Sequence, residues 1–468
     1  MDKRDISEEP VTLFPLQNTN QLQYGIVIDC GSSGTRLFAY SWKRRHGFED
    51  VTADQVPERT GNKYVIKKLE PGISTLTPEE ALGQIEELLT YASQHLPQDS
   101  HSDTILYILA TAGLRMIPIE QRTKLLRTIR REIPRKFVFD LREVSVISGQ
   151  DEGLFAWLSI NSIMNRLCDS EKNPVAIMDM GGGSIQVAIP LLDDAETEAK
   201  KNFQISTADI QTIDLSCGKR HKIFIHTWLG YGANKARERY ENFILKNSKN
   251  KTSNVADPCL PKNVEMGKYI GDGDFTKCRE LIAGKNVFKK ISETPDQPNL
   301  LSCLDENSDI ACTYPLNPSE QLPKMDLSKL ELVGISEFYY TTEDTFKMSG
   351  SFDTKKFHEA AINWCSDNKE HLYQNWRAGV YKADENRVKT QCFKAAWVSV
   401  MLHEGLGFDI FSDDFKLMTL DNIEGKSLQW TLGALLYKSG LAGFDRPHPR
   451  APAKPDLGEA KSGMSMRV

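Results

Sequence analysis

Short apolar runs that stop on an acid, turn through small residues and then resume set the grammar of this chain. The first is "GIVIDCGSSGTRLFAYSW", residues 25–42. The runs "GIVID", "RLFAYSW", "KYVIKKL", "TILYILA" and "VSVIS" predict strands, and "PEEALGQIEELLTYASQHL" predicts an amphipathic helix among them. "QDEGLFAWLSINSIMNRL" predicts a second helix leading out of this half, and a new strand pair opens at "VAIMDMGGGSIQVAIPL", residues 175–191. Beyond it come helix-like "HTWLGYGANKARERYENFILK", a polar insert with cysteines, and helical patterns around 355–375 and 389–405. The last helix, "LQWTLGALLYKSG", precedes a tail rich in Pro, Gly, Ser and charge that predicts disorder. Strands alternating with helices predict an α/β fold.

One repeat stands out. "IVIDCGSSGTRLF" at 26–38 and "AIMDMGGGSIQVAI" at 176–189 share strand, Asp, one residue, Gly, small residues and strand again. Duplication at this separation predicts two related lobes facing a cleft. Glycine turns let the backbone approach a ligand, and successive N–H groups form an anion nest. An acid at the strand end repels a bare phosphate but suits a hard cation lying between. Asp29 and Asp179, one per lobe, thus become candidate grips on a metal–phosphate complex. A single Asp-x-Gly hairpin is more often a plain turn; two matched copies reverse that reading. Neither loop matches the Gly-Lys-Ser/Thr phosphate loop or the GxGxxG dinucleotide fingerprint.

Two further segments lie between the copies. "ILATAGLRM", residues 108–116, sets Thr111, Ala112, Gly113 and Arg115 just after a strand. "VISGQDEGLFAW", residues 146–157, sets Gln150, Asp151 and Glu152 where a strand gives way to a helix. Acids there are favoured by the helix dipole alone. A carboxylate between Gly149 and Gly153 can also activate water, and within this set Glu152 is the candidate base.

With 468 residues the chain exceeds the size at which one core keeps growing. It is 40% hydrophobic and 26% charged, an ordinary globular composition. Net charge is −6 with Lys and Arg spread along the chain, which argues against a nucleic-acid partner. Of nine cysteines none forms CxxC, and six crowd between Cys259 and Cys392. Local pairs 259/278, 303/312 and 365/392 are within reach, and reduced core thiols are the competing reading. A sequon, Asn250-Lys251-Thr252, sits in a polar stretch. Together these lean toward an oxidising, lumenal compartment. The start "MDKRDISEEP" shows no apolar leader, and no stretch has the roughly 18 apolar residues of a membrane span. Read alone, the chain is soluble, and either cytosolic or without its anchor.

Together "IDCGSSGTR", "ATAGLR", "SGQDEGLFAW", "MDMGGGSIQ" and "LQWTLGALL" resemble the apyrase-conserved regions of the nucleoside triphosphate diphosphohydrolases, from about residue 22 to 442. That resemblance implies a two-lobed α/β fold of the actin-like ATPase (ribonuclease H-like) type with the active site between the lobes. Residues 1–21 become a flexible segment, 22–165 lobe I with a returning helix at 427–442, 166–426 lobe II with the Cys-bearing insert, and 443–468 the tail. It implies nucleoside di- and triphosphate hydrolysis with Ca²⁺ or Mg²⁺ held through waters by Asp29 and Asp179. Ser32, Ser33, Gly34, Gly181, Gly182 and Gly183 would cradle phosphates. Glu152 would be the base, with Thr111, Ser184 and Gln186 positioning the attacking water. Tyr340 would stack on the nucleobase (on the residue alone, a buried strand aromatic is an equal reading), and Trp430 would line the cleft near the metal. The family's disulfides match 259/278, 303/312 and 365/392.

Cys30 with Gly34-Thr35-Arg36 resembles the intracellular Golgi and lysosomal members that favour nucleoside diphosphates such as UDP; cell-surface members usually carry His at the position of Gly34. Ile185 departs from the usual Thr, and Gly183 is smaller than usual; neither removes a proposed ligand. Such members are membrane-anchored in the endomembrane lumen. An exopolyphosphatase-like hydrolase and a chaperone-like ATP switch are the rival readings; "ATAGLR", the Cys-rich insert and Tyr340 favour nucleotides.

Overall fold

The computed structural model describes residues 22–43, 53–58, 63–191, 209–248, 254–283 and 330–441. The sequon, Cys303 and Cys312, and the two terminal segments lie outside the described residues.

Two sheets form the frame. The first contains β1 (Leu22–Cys30), β2 (Thr35–Lys43), β3 (Asp54–Gln55), β4 (Ile66–Leu69), β5 (Ile105–Ala110) and β6 (Asp140–Val146) in the order β3-β2-β1-β5-β6, with β4 also on β2. The second takes β7 (Ala176–Met180), β8 (Ser184–Pro190), β9 (Ile210–Asp214) and β10 (Arg220–Leu229). A small sheet of β11 (Val255–Asp257), β12 (Glu265–Met266) and β13 (Tyr269–Gly271) intervenes in the chain. The second sheet is completed by β14 (Leu332–Ser336), β15 (Gly350–Ser351) and β16 (Leu417–Thr419), in the order β15-β16-β14-β7-β8-β10-β9. The duplication read in the sequence extends to topology. β1 pairs antiparallel with β2 and parallel with β5, as β7 pairs antiparallel with β8 and parallel with β14.

The helices are α1 (Pro78–His95), α2 (Ala112–Arg115), α3 (Ile119–Lys136), α4 (Gly149–Ile163), α5 (Ala233–Asn247), α6 (Phe275–Ala283), α7 (Glu337–Glu343), α8 (Thr354–Ser366), α9 (Lys369–Arg377), α10 (Glu385–Val400) and α11 (Trp430–Ser439). They explain why β1 is apolar from Gly25 to Ile28: there both its faces are buried. Successive residues alternate between faces. Ile26 and Ile28 pack with Ile85, Leu88 and Ile129 of α1 and α3, while Val27 packs with Trp430 and Leu435 of α11. β7 divides likewise, Ile177 joining the Val27 cluster and Met178 a third one. Between the sheets therefore lies a layer of α4 and α11. α4 leans on β7, β8 and β10 and α11 on β1. They cross so closely that a methyl on Gly433 would lie 1.9 Å from the Phe155 carbonyl, which only glycine permits.

Three differences from the sequence reading have physical causes. The helix read from His226 begins only at Ala233, because residues 223–229 pair in register with β8 and Gly230 and Gly232 separate strand from helix. α3 went unpredicted: its buried stripe is only Leu125, Ile129 and Ile133, in a helix otherwise dense in charge. Tyr340 sits on helix α7, not on a strand. Of the disulfides, 259–278 and 365–392 are formed, and Cys30 is free and buried. A third, Cys168–Cys217, joins the loop after α4 to the β9–β10 turn across 49 residues, a pairing that spacing does not suggest.

Candidate active site

The two hairpin turns meet at a cleft of about 520 Å³. They are built alike. Gly31 N–H donates to the Gly34 carbonyl at 2.9 Å and Gly181 N–H to the Ser184 carbonyl at 3.0 Å. Register sets Asp29 opposite Arg36 and Asp179 opposite Gln186, each aspartate the penultimate residue of its strand. The loops nearly touch: a methyl on Gly182 would lie 2.9 Å from the Ser32 hydroxyl, and one on Gly183 2.8 Å from Ala112 Cβ. Carbonyls of the second loop are consumed by the start of α5, where Ala233, Asn234 and Lys235 N–H groups donate to Gly181 and Gly182 at 3.0–3.1 Å. Among the described residues the N–H groups of Ser32, Ser33, Gly182 and Gly183 donate to no acceptor. All four residues line the cleft, so the loops offer free donors to an anion.

Glu152 enters from the first turn of α4. The capping role open to both acids there falls to Asp151, whose carboxylate and the Ser148 hydroxyl form a capping box. Glu152 is thereby left for the cleft, only 8% exposed. Arg115 Nη2, on α2, donates to Glu152 Oε2 at 2.7 Å and to Ser184 Oγ at 3.2 Å. Gln186 does not line the cleft; its Nε2 donates to Ser184 Oγ at 2.8 Å and to Thr227 Oγ1 at 3.1 Å. Ser184 Oγ thus accepts twice, which occupies both lone pairs and leaves its own hydrogen free to donate. Thr111, at the end of β5, lines the cleft beside the first loop, and its N–H donates to the Cys30 carbonyl at 3.3 Å.

Three carboxylates crowd this space. Burial pushes Asp29 up to about 7, with Glu152 and Asp179 adding to the rise against Arg36. Burial and Glu152 likewise raise Asp179 to about 7 against Ser336 and Arg36. Burial raises Glu152 also, against Arg115. Asp29 Oδ1 is buried without a hydrogen-bond partner. The cleft is therefore short of positive charge between its two aspartates, and an unpartnered carboxylate oxygen there fits a hard divalent cation. Among the described residues no three Asp, Glu, His or Cys side chains converge to ligate an ion directly.

Trp430, 4% exposed at the start of α11, lines the cleft with its ring stacked 6.5 Å from Phe155. Tyr340 lines the far wall, and the Arg387 guanidinium lies 5.2 Å from its ring centre. Behind them Glu337 accepts from Arg387 Nη1 at 2.5 Å and from Lys394 at 3.4 Å. Burial alone would raise Glu337, but Lys394 and Arg387 bring it down to about 2. The structure thus gathers Asp29, Ser32, Ser33, Gly34, Thr111, Glu152, Asp179, Gly181, Gly182, Gly183, Ser184, Tyr340 and Trp430 around one cleft. Sequence reasoning missed the links made by Arg115 and the Glu337–Arg387–Lys394 cluster. Glu337 follows β14 as Thr111 follows β5, so the duplication held a signal for it.

Residues 16–447 match the GDA1/CD39 (nucleoside phosphatase) family. The chain belongs to this family. It is accordingly a nucleotide phosphohydrolase. Ectonucleoside triphosphate diphosphohydrolase 7 of Xenopus tropicalis is 33% identical over 472 residues, spanning 90% of this chain and 73% of that protein. Ectonucleoside triphosphate diphosphohydrolase 4 of Homo sapiens is 32% identical, spanning 90% and 74%. The nucleoside-diphosphatase mig-23 of Caenorhabditis elegans is 29% identical, spanning 90% and 78%. Among solved structures, a nucleoside triphosphate hydrolase from Neospora caninum superposes with a TM-score of 0.57 at 14% identity, over 89% of this chain and 92% of that one. That likeness gives the actin-like fold. Among the described residues no helix is long and apolar enough to cross a membrane.

Proposed function

We propose that this family member removes the terminal phosphate of nucleoside diphosphates and triphosphates, turning UDP- or GDP-like substrates into the nucleoside monophosphate and phosphate. The observation that carries this is the Arg115 fork, which holds a buried carboxylate and a hydroxyl beside two facing phosphate loops. A water accepting from the Ser184 hydroxyl sits where Glu152 takes its proton as it attacks phosphorus in line. Thr111 flanks that water, and Gln186 holds Ser184 from behind. The donors of Ser32, Ser33, Gly182 and Gly183 meet charge that builds on the phosphoryl oxygens. Asp29 and Asp179 would hold Ca²⁺ or Mg²⁺ through its waters, where the cation neutralises phosphate charge. Tyr340 offers a ring face to the base.

In this reading the cleft lies between a lobe at 22–165, with the returning helix at 427–442, and a lobe at 166–426. The separate sheets, each with its own hairpin loop, support that division. A Golgi or other endomembrane lumen is the proposed place of action, supported by three disulfides among the described residues. The test is Glu152→Gln. It should abolish phosphate release while leaving nucleotide binding and the melting temperature near wild type; near-normal turnover would remove Glu152 from the mechanism.

A further inference from the structure

The first phosphate loop is roofed by a segment that the reaction, as described, leaves without a role. β4 pairs with β2 so that Lys68 lies opposite Arg36, and Arg36 lies opposite Asp29 on β1. Directly opposed residues on neighbouring strands share a face. Asp29, Arg36 and Lys68 therefore form a row across three strands, and all three line the cleft. Lys68 is the outermost, two strand spacings or about 10 Å from Asp29.

Its placement is locked to the loop. A methyl on Gly34 would lie 2.9 Å from the Leu69 carbonyl oxygen and 3.0 Å from Lys68 Cε. A methyl on Gly72 would lie 2.6 Å from the carbonyl oxygens of Gly31 and Ser32. α1 bolts the two together: Gln84 accepts from the Thr35 hydroxyl at 3.0 Å and donates to the Pro71 carbonyl at 3.0 Å. The backbone of Lys68 is thus rigidly set, while among the described residues its ammonium ion-pairs with Glu70 alone, whose side chain is 64% exposed. A pair that open to solvent is weakly held and readily exchanged.

We propose that Lys68 is a specificity-determining cation that contacts the phosphate on the nucleoside side of the bond being broken, releasing Glu70 when substrate arrives. Gly34 is the position that makes room for it: any side chain there meets the Leu69 carbonyl and the Lys68 stem. Lysine acts on phosphate as a mobile point charge, and its distance from Asp29 places it on the phosphate that stays with the nucleoside. This rests on the nucleotide reading of the cleft. It goes beyond that reading by naming which side chain recognises the second phosphate.

The test is binding of a methylene-bridged nucleoside diphosphate, which cannot be hydrolysed, measured by calorimetry with Mg²⁺. Lys68→Met should weaken Kd about tenfold and flatten its dependence on salt, and Lys68→Arg should recover most of the loss. Gly34→Ala should weaken binding in the presence of Lys68 but add little to Lys68→Met, because the two act as a unit. An unchanged Kd in Lys68→Met, or losses that simply add, would overturn the assignment. A wild type that binds the analogue through Lys68 yet releases no phosphate from any nucleotide would overturn the reaction and keep the residue.

Discussion

Arg115→Met isolates the link between the proposed base and the hydroxyl beside it. Arg115 reaches Glu152 at 2.7 Å, Ser184 at 3.2 Å and the Ile147 carbonyl at 3.3 Å. The arginine and glutamate side chains are only 13% and 10% exposed, so solvent does little to replace the lost bonds. A charge-assisted hydrogen bond is worth about 1.5–3 kcal/mol, which converts to roughly a 10- to 100-fold loss in kcat/KM at neutral pH. The pH profile carries the sharper signature. Burial raises Glu152 and Arg115 lowers it; without the cation it rises further, fewer molecules hold a deprotonated base, and the acid limb of kcat/KM moves to higher pH. Arg115→Lys keeps the charge and so keeps the acid limb, but one ammonium cannot replace a planar fork with three acceptors. Phosphate release between about pH 5 and pH 9, with melting curves as a folding control, measures all of this. A loss in Arg115→Met that is uniform across pH would refute the coupling of Arg115 to Glu152.

Asp179→Asn should raise the melting temperature of cation-free protein, since it removes one of three crowded, buried carboxylates, itself repelled by Glu152 and repelling Asp29, while lowering phosphate release; an unchanged melting temperature contradicts the charge deficit. Ca²⁺ or Mg²⁺ should stabilise the wild type and not that variant, as read by thermal shift. Glu337 lies far below its ordinary 4.5, at about 2, so its contribution is present above 4.5 and lost as pH falls toward 2. The stability advantage of wild type over Glu337→Gln, up to about 3 kcal/mol, should therefore shrink in denaturant melts as pH drops through that window. The loop of 49 residues closed by Cys168–Cys217 predicts a loss of about 4 kcal/mol by chain entropy for the Cys168→Ala, Cys217→Ala pair; urea melts that overlay the wild type would contradict it.

What the sequence disclosed was local. The hairpins around Asp29 and Asp179 announce themselves because strand, turn and acid fall within a dozen residues, and their repetition implied a cleft. The capping box hid in plain view: only the fold shows that Asp151 takes the cap and frees Glu152. Links that depend on packing were out of reach. Arg115 is quoted in "ATAGLR", but Glu152 is 37 positions away and meets it only because the fold brings Arg115 of α2 to the first turn of α4. Glu337, Arg387 and Lys394 come from two helices whose approach no spacing encodes. Cys168 finds Cys217 because α4 packs on β10, and α3 escaped notice because three buried residues suffice to seat it.

The claim that everything else depends on is hydrolysis of a terminal phosphate by a water that Glu152 activates. Phosphate release from a panel of nucleoside mono-, di- and triphosphates and polyphosphate, run in isotopically heavy-oxygen water with Mg²⁺ or Ca²⁺ and with EDTA, tests it most directly. The account predicts cation-dependent release from di- and triphosphates, label in the released phosphate and none in the nucleotide, and no release by Glu152→Gln. Label in the nucleotide product, or release that survives in Glu152→Gln, would contradict it.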